Sequence, residues 1–288
     1  MSISGSAAVA LSPLPATPHL TVSTITDYRS FLALERVWNQ VHEEAATKSP
    51  FLTHEWMRSW WDAFGKGREL HILLLKSGPD PVAIAPLMFN TGRMLGVRVR
   101  RLESIHNLHT PRFDFLVAHY PGEVYQTLWG HLLSLKSRWD VLQLNQLPED
   151  SPTLEEIPRL AGREGYLTGI WHSADSPFVS LDGNWESYCA RLDSKHRSNL
   201  RNREKRLKRL GAFGHDSVVC GPELDESLED GFRIEAAAWK GKAGTAIACQ
   251  PTLRRFYTVL ADRFAGRGWL RLHFLRAGGR RIAFAYSI

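Results

Sequence analysis

The run SKHRSNLRNREKRLKRLG, residues 194–211, sets Lys195, Arg197, Arg201, Arg203, Lys205, Arg206, Lys208 and Arg209 against one acid, Glu204. So many cations in a helix-length run point to anion chemistry, a phosphate or carboxylate held by charge-assisted hydrogen bonds. The first turns are the informative part. Cations at a helix N-terminus oppose the helix dipole, so Lys195 and Arg197, with Arg201 one turn on, read as residues aimed at an anion that the same dipole attracts. At the other end Arg206, Lys208 and Arg209 are stabilised by the dipole with no ligand at all. Leu200, Leu207 and Leu210 leave them on the opposite, solvated face.

A second stretch, AAAWKGKAGTAI (residues 236–247), closes a helix near Trp239-Lys240-Gly241 and carries further glycine at Gly244. Its backbone amides beside Lys240 and Lys242 would suit an anionic acyl donor or acceptor. A helix end with a cationic last turn explains the same residues equally well. HNLHTPRFDF contributes His106, His109 and Asp114. Two histidines three residues apart without a third ligand read as a polar loop lining a cleft, and no metal is expected. No GxSxG, P-loop or HExxH pattern occurs, so the catalytic residues and the general base stay unassigned.

The whole chain of 288 residues carries a formal charge of +6. The basic run therefore accounts for the excess, and the remainder is close to neutral. That excludes a broad nucleic-acid-wrapping face, and DNA is not expected as a partner. Cys189, Cys220 and Cys249 lack metal-ligand or disulfide spacing, which suggests a reducing, cytoplasmic setting. Residues 1–20 have no basic n-region and read as a disordered leader. No apolar window reaches the roughly 18 residues of a membrane span, so no membrane insertion is expected.

The elements that must position these residues form an α/β pattern. Asp27 caps a helix carrying Phe31, Leu34, Val37, Trp38 and Val41, and Thr53 caps another whose Trp56, Trp60 and Phe64 recur on one face as core. Strands near 70–76 and 81–89 flank the turn Ser77-Gly78-Pro79-Asp80. VRVRRLES and FDFLVA read as strands, 122–137 as a helix, WDVLQLNQL as a buried strand, and LTGIWHSADSPFVSL as two short strands. Helices at 184–192 and 194–210 follow, then a strand around Ser217–Cys220 and a helix through LEDGFRIEAAAWKG. The chain ends with a helix at 252–265 and a hairpin of strands 269–275 and 281–288. Helix, helix and glycine-turn hairpin thus appear twice, at 53–89 and 232–288, and two similar units joined near 176–183 are the simplest account. Because RRIAFAYSI is an apolar strand at the chain end, the second unit is expected to be cut short.

In order, PFLTHEWMRSWWDAFG, VAIAPL, SKHRSNLRNREKRLKRLG, IEAAAWKGKAGTAI, RFYTVLADRFAGRGWLRLHFL and GGRRIAFAYSI resemble the CelD-like, Fem-related branch of the GNAT acyltransferases, over about residues 20–288. The resemblance implies two tandem GNAT-like units, 21–178 and an incomplete 179–288, with a cleft between them. It implies transfer of an acyl group, such as acetyl, from acyl-coenzyme A to an amine or hydroxyl of a polar acceptor, in cell-envelope or polysaccharide biosynthesis. Lys195, Arg197 and Arg201 would contact an anion, and Trp239, Lys240 and Gly244 would lie at the acyl end. Family members continue past the last strand, so the donor-binding turn is expected beyond it. RFAGRG, at 263–268, matches the family's pyrophosphate-binding spacing. A helix precedes it and a strand follows, the reverse of what a phosphate cradle needs, so Gly266 and Gly268 read as helix C-cap and turn. Two alternatives stay open: a Fem-type aminoacyl-tRNA-dependent peptidyl transferase using the basic helix for RNA, and a non-catalytic accessory of polysaccharide secretion.

Overall fold

The computed structural model describes residues 18–288. Most of the expected leader lies outside the described residues, and Leu20 already opens the first strand. The first part of the chain runs β1 (Leu20–Ile25), α1 (Tyr28–Ala33), α2 (Glu35–Glu44), a 3-10 turn at Pro50–Leu52 and α3 (His54–Phe64). It continues through β2 (Glu69–Ser77), β3 (Asp80–Met94), β4 (Val97–Ser104), β5 (Leu116–Val117), α4 (Pro121–Ser134), β6 (Val141–Gln143) and α5 (Pro152–Arg163). The second part holds α6 (Trp185–Arg191), α7 (Ser194–Lys208), β7 (Phe213–Val218), α8 (Leu224–Ala236) and α9 (Trp239–Lys242). After a 3-10 turn at Ile247–Cys249 come α10 (Pro251–Gly266), β8 (Arg271–Ala277) and β9 (Arg280–Ser287).

Two sheets result. The first orders its strands β1-β2-β3-β4-β6, with β5 also on β3, and the second orders them β7-β8-β9. All pairings are antiparallel except β4 with β6, which is parallel. The α/β class and the tandem arrangement expected from the sequence are what the structure shows, and the two units share a register as well as an order. In the first hairpin Leu75 faces Ala83 and Lys76 faces Pro81, with a bulge between them. In the second, Leu275 faces Ala283 and Arg276 faces Arg281, with the bulge at the same step. Each position in one hairpin is the other plus 200.

The preceding helices obey the same offset and pack on one another. Trp56 meets Phe264 and Phe64 meets Phe256, with ring centroids 6.2 and 5.3 Å apart, while Trp56 and Phe256 cross between them at 5.4 Å. Residue i of α3 touches residue j of α10 and the reverse, the signature of a pseudo-twofold contact. Polar pairs close its flanks. Arg263 reaches Asp62 at 2.6 Å and Ser59 at 2.9 Å, and Arg267 reaches the buried Glu55 at 3.0 Å. The turn expected at Gly268 is present, at a left-handed φ of +71, but Gly266 is the last residue of α10 and Arg267, not Gly266, is its C-cap.

Asp27 and Thr53 cap their helices through Ser30 N and Trp56 N, as their positions suggest. Other expectations need correction. The helix after Asp27 breaks at Leu34 into α1 and α2. LTGIWHSADSPFVSL forms no strand, because residues 167–182 stand exposed without a sheet edge to bond. The WDVLQLNQL strand shortens to three half-buried residues, and β1 and α5 had no counterpart in the sequence reading.

Candidate functional site

The polar side chains that converge do so where the first unit meets the second. The loop after β4 presents His109. Asn107 folds it, its Oδ1 accepting from His109 N at 2.9 Å and its carbonyl from Thr110 N at 2.9 Å. Thr110 is fully buried and accepts from Trp56 Nε1 at 3.2 Å, which ties the loop to α3. So fixed, the His109 ring lies parallel to Phe64 and meets Tyr257 of α10 edge-on, with Nδ1 3.2 Å from the phenol oxygen. Tyr286 of β9 packs edge-on beneath Tyr257 and donates its hydroxyl to the Tyr257 carbonyl at 3.2 Å.

On the neighbouring side, Glu235 at the end of α8 accepts from Lys240 Nζ at 2.7 Å and from Ile247 N at 2.8 Å. Burial holds His109 below the ordinary histidine value. The Glu235 carboxylate pulls it up and Lys240 pushes it down. Burial lifts the Tyr257 phenol, and Glu235 adds to the lift. Tyr286 is raised by burial, then by Tyr257 and Asp262. At neutral pH the cluster therefore holds a neutral imidazole against two protonated phenols beside a closed ion pair, a set suited to accepting and relaying a proton.

The expected site residues sit as follows. Lys240 joins the boundary cluster through Glu235, and Trp239 beside it is exposed. The expected helix end at Trp239 to Gly241 is instead the separate short helix α9, since α8 stops at Ala236. Nor are the amides of this loop free. Those of Ala243, Gly244, Thr245 and Ala246 donate to the carbonyls of Trp239, Gly241 and Lys240. Gly244 is there for its left-handed φ of +69. In α7 no side chain is buried, and Asp193 caps the first turn through His196 N. Arg197 turns back, donating to the carbonyls of Leu192, Ala190 and Cys189 at the end of α6. Its guanidinium serves as a helix C-cap, which answers the dipole argument without a ligand. Lys195 and Arg201 are exposed. Among the described residues no hydrogen bond or ion pair joins α7 to the 239–244 segment.

His106 is half-buried with Nδ1 3.3 Å from Ser104, and Asp114 is buried, accepting from Thr153 at 2.5 Å. They do not gather with His109, and among the described residues no group of three or more His, Cys, Asp or Glu could hold a metal ion. Sequence reasoning placed His109 in a polar cleft loop but missed Glu235, Tyr257 and Tyr286. The available signal was a tyrosine at each of two positions that the helix and strand patterns direct inward.

A cavity of about 510 Å³ lies elsewhere, between α8 and the β8–β9 hairpin. Its charged walls largely satisfy one another: Arg281 holds Asp216 at 2.9 Å and Asp230 at 3.2 Å, and Arg233 holds Asp230 at 2.6 Å. The boundary cluster, where both units supply groups with displaced titration, is the better candidate for chemistry.

Among the described residues no helix is long and apolar enough to cross a membrane. No curated protein matches the chain. The crystal structure of FemX superposes with a TM-score of 0.54 at 12% identity, covering 89% of this chain; the chain spans 58% of the length of that one. The crystal structure of ribosomal-protein-alanine N-acetyltransferase from Brucella melitensis biovar Abortus 2308 gives a TM-score of 0.33 at 14% identity. It covers 56% of this chain and 100% of its own, a likeness too loose to bear on the fold. The fold is thus shared with FemX over most of the chain, and residues 194–288, from α7 through the second sheet, match the family described as acetyltransferase (GNAT) domain.

Proposed function

We propose that the protein is an acyltransferase, moving an acetyl or related acyl group from a coenzyme A thioester to an amine or hydroxyl of a polar acceptor, with a cell-envelope or polysaccharide precursor as the acceptor class. In this reading the chain divides into units 21–178 and 179–288. The observation that carries it is coincidence: the segment matching the acetyltransferase (GNAT) domain is the one that holds Tyr257, Tyr286 and the Glu235–Lys240 pair. Acyl transfer asks mainly for two substrates held in register, which a boundary between two rigid units supplies. Lys195 and Arg201 remain the exposed cations available to an anionic group, with Trp239, Lys240 and Gly244 at the acyl end.

The test is a melt with coenzyme A, acetyl-coenzyme A and longer thioesters. Ligand at about a hundred times its dissociation constant should add about 2.7 kcal/mol of stability. A flat response to every thioester would overturn the reading. The exposed basic face of α7 favours one second reading, an aminoacyl-tRNA-dependent transferase. It is distinguished by RNA binding that weakens steeply with salt.

A further inference from the structure

We propose that His109 is the proton acceptor of the transfer step, delivered by the first unit to chemistry carried out on the second. The assignment rests on the acyl-transfer reading above and names the base that it lacks. Three observations carry it. The His109 loop is pinned from its own unit by Asn107 and, through Thr110, by Trp56, so the imidazole is held in place. The ring crosses to the other unit at Nδ1, 3.2 Å from the Tyr257 oxygen, while among the described residues Nε2 has no hydrogen-bond partner. The charged and titratable groups facing it are Tyr257 from α10, Glu235 from α8 and Lys240 beside α8. Of these, Glu235 and Lys240 are bonded to each other, so neither carboxylate nor ammonium competes as the base.

The step balances as follows. Nδ1–H donates to the Tyr257 oxygen, which leaves the Nε2 lone pair for the acceptor. The acceptor nitrogen or oxygen forms a bond to the thioester carbonyl carbon as its proton passes to Nε2. The electron pair returned from the carbonyl oxygen then expels the thiolate, breaking the C–S bond. The imidazolium gives its proton to the thiolate, and His109 ends neutral. Tyr257 is a positioning residue, fixing which nitrogen is free, and Tyr286 fixes Tyr257 from below.

The experiment uses acetyl-coenzyme A with hydroxylamine and ethanolamine as acceptors, following acceptor-dependent thiol release against pH. For the wild type, kcat should fall on acidification with a limb below the ordinary histidine value of 6.5. His109→Gln should lose about 100-fold or more in kcat at nearly constant KM and lose that limb, the range of a missing general base. Free imidazole should restore part of the rate. Tyr257→Phe should keep the limb but displace it, with a smaller loss of rate than His109→Gln. NMR titration of the ligand-free protein gives a readout apart from turnover: the His109 resonance should titrate below 6.5, and lower still in Glu235→Gln. If the wild type transfers acetyl and His109→Gln matches it in rate and pH profile, the assignment is wrong. A wild type with no acceptor-dependent thiol release overturns the acyl-transfer reading and this assignment together.

Discussion

Aligning the two units by their shared offset shows where their side chains differ. Where the first has Met57, fully buried, the second has Tyr257; where the first has Pro86, buried in β3, the second has Tyr286. The same scaffold positions hold apolar filling in one unit and phenols with displaced titration in the other. Reversing the comparison, buried His71 of β2 corresponds to exposed Arg271 of β8. The matching frames thus differ by side chain, the first carrying apolar residues where the second carries phenols. The His109 loop of the first unit reaches the Tyr257 phenol of the second.

The largest test of this picture is at the contact the units share. Phe256 is completely buried and touches Trp56, Phe64 and Tyr257. Phe256→Ala should cost about 3–5 kcal/mol by denaturant unfolding and should loosen both units in one transition. Two separated transitions in the wild type would show that α3 and α10 do not couple the units.

Acid should then act on the fold through a buried histidine of the first unit. His71 is 2% exposed with neither ring nitrogen bonded, and burial, reinforced by His131 and Arg138, lowers it to about 4. The unfolded chain takes up this proton near 6.5 and the native one only near 4, so stability is full above 6.5 and falls as the pH drops through that window. The loss approaches about 3 kcal/mol at the lower end. Melting between pH 7 and 4.5 should show it, and His71→Leu should flatten the slope. An unchanged slope in that variant would move the acid sensitivity elsewhere.

Arg197 gives the smallest effect and the sharpest contrast with a purely sequence-based view. Losing its contacts to the end of α6 should lower stability by about 1 kcal/mol, the scale of a net hydrogen bond, while leaving thioester binding unchanged. Arg209→Ala should cost a few tenths of a kcal/mol. A binding loss without a melting shift in Arg197→Ala would restore the anion role that its position first suggested.

What was legible in the sequence is what local chemistry fixes. Caps at Asp27 and Thr53, the aromatic stripe of α3 and both hairpins depend on a few neighbouring residues, and all appeared where expected. The repeat was visible as an order of elements. The site was less so, because its members come from positions 109, 235, 257 and 286 and meet only after α3 and α10 pack. Arg197 was ambiguous for a related reason. A cation at a helix start is ambiguous until one sees that another helix ends beside it. The strands expected at 167–182 failed because apolar residues make a strand only where an edge is available to receive them.

The flanking charges of the α3–α10 contact carry a consequence for assembly. At that seam the acids, Asp62 and Glu55, come from the first unit and the arginines, Arg263 and Arg267, from the second. The aromatic middle is nearly self-complementary, so by shape alone two copies of either helix could pair. Pairing α3 with α3 would set Glu55 and Asp62 together without Arg263 and Arg267, and pairing α10 with α10 would set those arginines together without their acids. Like charges brought together out of water are penalised strongly enough to decide between partners of equal fit. As the chain emerges and folds among identical copies, the charge asymmetry directs each α3 to an α10, and the tether between them makes its own the nearest one.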